Sequence, residues 1–292
     1  MAGLQGIAGG AGSAGALGET GAAGPQGERG SQGPPGETPS EEVLAALVDV
    51  AVARVSVSVG ADTGPVLIRG DALAGGKLFD NWPVMTGVTP EGEHGLWAIQ
   101  TTNTRTGVAT WRCKECHGWD YRGALGAYGD RESSHYTGFL GLLWAGDLLT
   151  QDQIVEVLNG GLDPRHDFTD WLDDEQMLNV AAFLKLQLID EAALIDYETK
   201  QPRVEWDPDG GKRLFERSCG VCHGDDGKRI NFGSAASPEY LGGLAQGNPW
   251  EVMHKIRFGQ PGTPGMPSSE ARGWTIQDVI AVLGHAQTLP AQ

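Results

Sequence analysis

The chain has 292 residues, which is enough for two small globular domains and a tail. Its 38 acidic and 21 basic side chains give a net charge of −17, which disfavours nucleic acid or an anionic membrane surface as a partner, because both bind clustered positive charge. No apolar run reaches the length of a transmembrane helix, and residues 1–3 do not begin a basic and apolar secretory signal.

Residues 1–38 form a repeat in which glycine occupies every third position from 3 to 36. This is the G-X-Y period of a collagen triple helix, where only glycine fits at the crowded axis, and Gly33-Pro34-Pro35 resembles triplets of bacterial collagen-like segments. Pro25 is the one other proline within the repeat, so it is poorer in proline than collagen. Two interpretations stay open: a trimerising or spacing stalk, or a flexible tether to a membrane anchor.

Residues 39–70 are expected to connect this tail to the rest of the chain. Residues 41–53 place apolar side chains at helical spacing after Pro39 and Ser40, and residues 55–59 alternate valine with serine as in a short strand. In a trimer this segment could set the register of three collagen chains, whereas in a monomer it would be a lead-in.

Two copies of one motif follow, Cys113-Lys114-Glu115-Cys116-His117 and Cys219-Gly220-Val221-Cys222-His223. C-x-x-C-H is the attachment site of a c-type haem. Thiols at i and i+3 share one helical face, where each can bond one vinyl group, and the next histidine lies under the iron. The sequence therefore predicts two covalently attached c-type haems, held by Cys113, Cys116, His117, Cys219, Cys222 and His223.

Two other uses of the cysteines are weaker explanations. Two C-x-x-C pairs could form one structural zinc site, but zinc ribbons do not require a histidine after each pair, and these pairs are far apart in the sequence. A redox dithiol needs only one pair, in a βαβ setting that the sequence does not indicate. The haem interpretation uses all four cysteines of the chain.

The second copy resembles the class I cytochrome c family over residues 199–292. Residues 210–217, ending just before Cys219, match the family's leading helix, and residues 274–286 match the closing helix that crosses it. Pro264-Gly265-Met266-Pro267 matches the family's ligand loop, so the resemblance implies Met266 as the sixth iron ligand. Independently, a methionine in a loop rich in Gly and Pro suits a soft iron ligand better than a core position.

The same resemblance covers the first copy, residues 71–198, with one departure. Residues 75–79 echo residues 211–215, but about thirty residues, 83–112, intervene before Cys113. Aligning the closing helices places Pro164-Arg165-His166-Asp167 at the position of the methionine loop, which favours His166 as the sixth ligand of the first haem. His135 remains the alternative, and Met177 is expected in the core.

Several further side chains lie near the motifs in sequence. Met253, on a helix expected at residues 249–258, is predicted to be a core residue, whereas His254 and His285 are predicted at the surface or the haem edge. Aromatic residues around the first motif are expected to pack on its porphyrin; they are Trp111, Trp119, Tyr121 and Tyr128.

Taken together, the resemblance implies a mainly α-helical protein with two class I cytochrome c-like domains behind an extended collagen-like tail. The leading hypothesis is a dihaem electron carrier without catalytic residues, with His117 and His166 on one iron and His223 and Met266 on the other. It would exchange electrons with a donor and an acceptor protein in a periplasmic or cell-surface respiratory chain. Because c-type haem attachment implies export, we expect that a leader or lipoprotein signal was removed from the sequence.

Two alternatives stay open. One is a dihaem oxidoreductase, peroxidase-like or sulfur-compound-oxidising, with one haem as the catalytic site. Thiosulfate-oxidising dihaem cytochromes often use a cysteine as distal ligand, and no cysteine remains here for that purpose. The other is a structural cytochrome assembly, trimerised through the collagen-like tail.

Overall fold

The fold is helical in the part of the chain that the structure describes. The computed structural model describes residues 67–292, so the collagen-like repeat and the helix and strand predicted for residues 41–59 lie outside the described residues. Residues 67–292 contain helices and loops, with three isolated β-bridges and no β-strand. This agrees with the mainly α-helical class expected of a cytochrome c-like fold.

The first half of the described chain, residues 67–198, contains five α-helices, and the second half, residues 199–292, contains five more. They are α1 (Ala72–Thr86), α2 (Cys113–His117), α3 (Leu143–Leu148), α4 (Gln151–Leu158), α5 (Asp174–Leu186), α6 (Pro208–Ser218), α7 (Gly220–His223), α8 (Leu241–Gly247), α9 (Pro249–Phe258) and α10 (Ile276–Thr288). Short 3-10 helices lie at Trp97–Ile99, Gly107–Trp111, Pro164–His166 and Glu191–Ala193.

In each half a leading helix packs against a closing helix, α1 against α5 and α6 against α10. Both crossings depend on a glycine that faces the partner backbone. A Cβ on Gly75 would lie 1.9 Å from the carbonyl oxygen of Asn179, and a Cβ on Gly211 would lie 2.1 Å from that of Ala281. The sequence echo between residues 75–79 and 211–215 therefore reflects the same helix crossing in both halves.

The closing helices begin with the same local arrangement. The side chain of Asp173 accepts a hydrogen bond from the backbone N–H of Gln176, and the backbone N–H of Asp173 donates one to the side chain of Gln176. Thr275 and Asp278 form the same capping box. Each box satisfies two backbone groups that the first helical turn would leave without partners. The second closing helix extends two residues beyond its predicted end at residue 286, to Thr288.

The two halves meet where α9 packs against α1. Phe258 of α9 joins the core of the first half against Phe183. His254 is fully buried, so its predicted place at the surface or the haem edge is wrong. Its Nε2–H donates to the carbonyl of Gly76 at 3.0 Å, and its Nδ1 accepts from the Tyr121 hydroxyl at 2.8 Å. The prediction failed because local spacing in the sequence does not encode the contact between the two halves.

Replacing Gly75 by alanine is expected to lower the thermal midpoint of the protein. The added methyl group would overlap the Asn179 backbone, and overpacking of this kind reduces the free energy of unfolding by about 1–3 kcal/mol. Circular dichroism of the haem-loaded protein measures the midpoint. Gly247→Ala is the matched control, because a Cβ there meets no atom within 4 Å and alanine favours the helix. A midpoint of Gly75→Ala equal to that of the wild type would contradict the tight crossing.

Candidate haem-binding sites

The first C-x-x-C-H motif forms part of the wall of a cavity of about 340 Å³. Cys113, Cys116 and His117 line it from α2, and the remaining wall is mostly apolar. Other lining residues come from α3, α4, α5 and the loops beside them, among them Leu142, Ala145, Leu158, Phe168 and Val180. A volume of this size with apolar walls and a few polar groups is typical of a cofactor pocket.

His166 lines the same cavity as His117. The two ring centroids lie 6.4 Å apart with their planes at 80°. A metal–imidazole bond is about 2 Å long, so two imidazoles on opposite sides of one metal have centroids roughly 6 Å apart. The spacing of the two rings therefore fits a single iron between them.

Hydrogen bonds determine which nitrogen of the His117 and His166 rings is available to bind a metal. Nδ1 of His117 lies 2.7 Å from the carbonyl oxygen of Leu140, and Nδ1 of His166 lies 3.2 Å from that of Val157. A carbonyl only accepts, so both Nδ1 atoms carry the proton and both Nε2 atoms keep a free lone pair. Burial lowers the pKa of His117 to about 4, more than the Leu140 hydrogen bond raises it, and burial also lowers the pKa of His166. Both rings are thus neutral at pH 7, as iron ligands must be.

A third histidine of this cavity, His94, was not found by sequence reasoning. It is buried, lines the cavity, and its ring centroid lies 5.9 Å from that of His166. Its Nδ1 accepts from the Leu96 N–H at 3.2 Å, so Nε2 carries the proton, and within residues 67–292 that N–H has no partner. His94 lies in the 83–112 insertion outside any motif, so no sequence signal pointed to it.

His135 does not line the first cavity. Its ring stacks on Tyr128 with centroids 5.0 Å apart. Of the four aromatic residues expected to pack on the first porphyrin, only Trp111 lines the cavity. Trp119 and Tyr128 belong to the core of the second half, and Tyr121 to that of the first. Their predicted place is wrong because the packing of the two halves buries them elsewhere.

The second motif lines a separate cavity of about 520 Å³. Cys219, Cys222 and His223 line it together with Met266, which lies in the loop between α9 and α10. The thioether sulfur of a methionine such as Met266 is one of the ligand atoms that bind haem iron in proteins. The structure thus brings each motif together with the residue predicted as its sixth ligand, and these ligand assignments stay predictions.

The geometry of the cysteines disfavours the zinc and dithiol interpretations. The two pairs line different cavities, and residues 67–292 contain no cluster of three or more His, Cys, Asp or Glu side chains arranged for a metal ion. Burial raises the pKa of Cys113 to about 12 and that of Cys219 to about 11, whereas a redox dithiol needs a lowered pKa. Thiols in apolar cavity walls, each followed by a neutral histidine, fit covalent haem attachment.

The two motifs differ in their exposure to solvent. Lys114 and Glu115, between the cysteines of the first motif, form an ion pair and are 4% and 0% exposed. The Lys114 ammonium also lies 5.0 Å from the centroid of the Trp119 ring. At the corresponding place in the second motif Val221 is 68% exposed. The first motif therefore faces the protein interior, and the second faces solvent.

Comparison with known families supports a c-type cytochrome. The family model of cytochrome c oxidase, cbb3-type, subunit III, matches residues 207–283, which include the second motif and Met266. A cytochrome c domain implies covalently bound c-type haem with iron, haem-based electron transfer and redox partners. No curated protein and no solved structure matches the chain.

None of the helices within residues 67–292 combines the length and apolar character that crossing a bilayer requires. Domains of the c-type cytochrome class typically lie outside the cytoplasm or associate with membranes.

His166→Ala is expected to change the spectrum of one haem and leave the other unchanged. If the predicted ligation is right, the first iron would lose its sixth ligand without this imidazole, and the oxidised protein should gain a high-spin component that accounts for half of its haem. Optical and electron paramagnetic resonance spectra measure the fraction. His135→Ala serves as the control and should retain the wild-type spectrum. The reverse pattern, with a high-spin haem only in His135→Ala, would refute the choice of His166.

Proposed function

We propose that the protein is a dihaem c-type cytochrome that relays electrons in an exported respiratory chain. Cys113, Cys116, Cys219 and Cys222 would hold the haems through thioether bonds. His117 and His166 would bind the first iron, and His223 and Met266 the second. The observation that carries the proposal is that each motif shares its own apolar cavity with one further candidate ligand.

The axial ligands would set the direction of electron flow. A bound c-type haem supplies one-electron chemistry at its iron. Methionine raises the potential of a haem iron relative to a second histidine, so Met266 would place the second site above the first. Electrons would then pass from the site of His117 and His166 to that of His223 and Met266.

The surface around the second motif supports its role as the site of exit. Val221, Ile230 and Phe232 are exposed apolar side chains near the second cavity, and the last two also line it. The corresponding part of the first motif is buried against protein. A redox acceptor would therefore reach the second haem more directly than the first, because tunnelling favours short distances.

Localisation and assembly extend the proposal to parts of the chain that lie outside the described residues. Covalent haem attachment implies export, so we place the protein in the periplasm or at the cell surface. The collagen-like repeat of residues 1–38 would act as a tether to a membrane anchor or as a trimerising stalk.

One observation favours a second function, a dihaem oxidoreductase of the peroxidase type. The N–H of His94 has no partner among the described residues and belongs to the wall of the first cavity, next to His166. If His166 left the iron, His94 could donate a hydrogen bond to a small molecule bound in its place. The relay remains the better-supported function, because His166 is itself well placed to occupy that position.

Exchanging the second axial ligand tests the relay. Met266→His is expected to lower the midpoint potential of the second haem by on the order of 0.1 V, because axial ligands set haem potentials over a range of about 0.8 V. A spectroelectrochemical titration, which should resolve two midpoints in the wild type, measures the shift. Met253→Leu, a conservative change in the core, is the control and should keep both midpoints. Two equal midpoints in the wild type would contradict the directed relay.

Carbon monoxide separates the relay from the oxidoreductase. Both irons of a relay have six ligands, so the reduced wild-type protein is expected to bind no carbon monoxide and to turn over no peroxide. The Soret band of the reduced protein, recorded with and without the gas, reports binding. His166→Ala is the positive control, since it should open one haem. Binding by the wild type, together with peroxide turnover, would establish the oxidoreductase instead.

A further inference from the structure

A buried carboxylate connects the two halves of the protein. Asp80 of α1 is 0% exposed. Its Oδ1 accepts a hydrogen bond from Nη2 of Arg112 at 2.6 Å, and its backbone carbonyl accepts one from Nε of the same guanidinium at 2.7 Å. Its other oxygen, Oδ2, forms an ion pair with the ammonium of Lys255 on α9. One carboxylate thus holds a cation from each half.

The two cations belong to the walls of different cavities. Arg112 directly precedes Cys113 and lines the first cavity. Lys255 lines the second cavity, and its ammonium lies 5.2 Å from the centroid of the Trp119 ring. Asp80 itself lines neither cavity, so it acts on both through its partners.

Stability alone does not explain such a cluster. Moving charges out of water costs free energy that a buried ion pair often does not recover. Proteins with apolar replacements of similar size are often at least as stable. Burial alone would raise the pKa of Asp80, but its charged partners Lys255 and Arg112 oppose this, and the pKa lies below its usual value. The carboxylate is therefore ionised at neutral pH, and together with its two cations it leaves one net positive charge between the cavities.

We propose that Asp80 is a positioning residue that couples the two haem sites, because its single charge adjusts the potentials of both haems through Arg112 and Lys255. The inference rests on the proposed dihaem function. A negative charge stabilises the oxidised form of a nearby haem, which carries one more positive charge than the reduced form. In the poorly screened interior between the cavities, one such charge acts on both sites.

Asp80→Asn in the haem-loaded protein tests the coupling. Both midpoint potentials are expected to rise by up to about 59 mV, which corresponds to an about tenfold change in the one-electron equilibrium constant. Spectroelectrochemical titration measures the two midpoints. Asp152→Asn removes the same charge from a carboxylate that is 82% exposed, where solvent and salt screen it, and it should leave both midpoints unchanged.

Variants of the two cations test each end of the cluster separately. They also test the coupling if Asp80→Asn does not fold. Arg112→Gln is expected to lower the first midpoint more than the second, and Lys255→Gln the second more than the first. Lys255→Arg keeps the charge and should keep both midpoints near the wild-type values. A purely structural role would give equal losses of stability without this pattern in the potentials.

Two outcomes would overturn the coupling. Unchanged midpoints in folded Asp80→Asn would show that its charge acts on neither haem, and a shift confined to one haem would show that it does not act on both. If Asp80→Asn is unfolded, equal shifts of both midpoints in each cation variant would refute the assignment of one cation to each cavity. The pyridine haemochrome assay of the wild type gives the haem count separately, so a protein without two haems would refute the proposed function rather than the coupling.

Discussion

The arrangement of the two halves depends on the side chain of His254. Both ring nitrogens are used across the contact, one toward the backbone of α1 and the other toward the Tyr121 hydroxyl. This requires a neutral ring with its proton on Nε2, and burial lowers the pKa of His254 to about 3, so the ring stays neutral at pH 7. A buried polar group with every partner in place fixes orientation as well as distance. The relative position of the two cavities follows from this contact.

The same contact makes the two candidate haem sites unequal. Lys255 of α9 and Lys114 of α2 both lie over the ring of Trp119. Lys114 and Glu115, between the first pair of cysteines, are buried, whereas Val221, between the second pair, is 68% exposed. The two copies of one motif therefore have different surroundings. In the proposed relay, the exposed side of the second motif would let the second site pass electrons to a partner protein.

Features that depend on local spacing could be predicted from the sequence, whereas features that depend on the contact between the halves could not. The two motif helices, the closing helices and the Met266 loop follow from short patterns, and His166 was found by aligning the two copies. His94 lies in an insertion without a counterpart in the second copy. Asp80, Arg112 and Lys255 are separated along the chain by 32 and 143 residues, from 80 to 112 and from 112 to 255. Single charged residues carry no pattern, so only the packed structure shows that they meet.

A difference between the histidines of the two motifs, His117 and His223, would reinforce the proposed direction of electron flow. Nδ1–H of His117 donates to the Leu140 carbonyl, whereas Nδ1 of His223 has no hydrogen-bond partner within residues 67–292. A histidine that donates its second N–H to an oxygen is a more basic ligand, and a more basic ligand stabilises the oxidised metal. On the proposed ligation this would lower the potential of the first site, while methionine would raise that of the second. Two independent features, one in each cavity, would thus both widen the difference in potential between the two sites. The hydrogen bond from His166 Nδ1 to the Val157 carbonyl adds to the first of them.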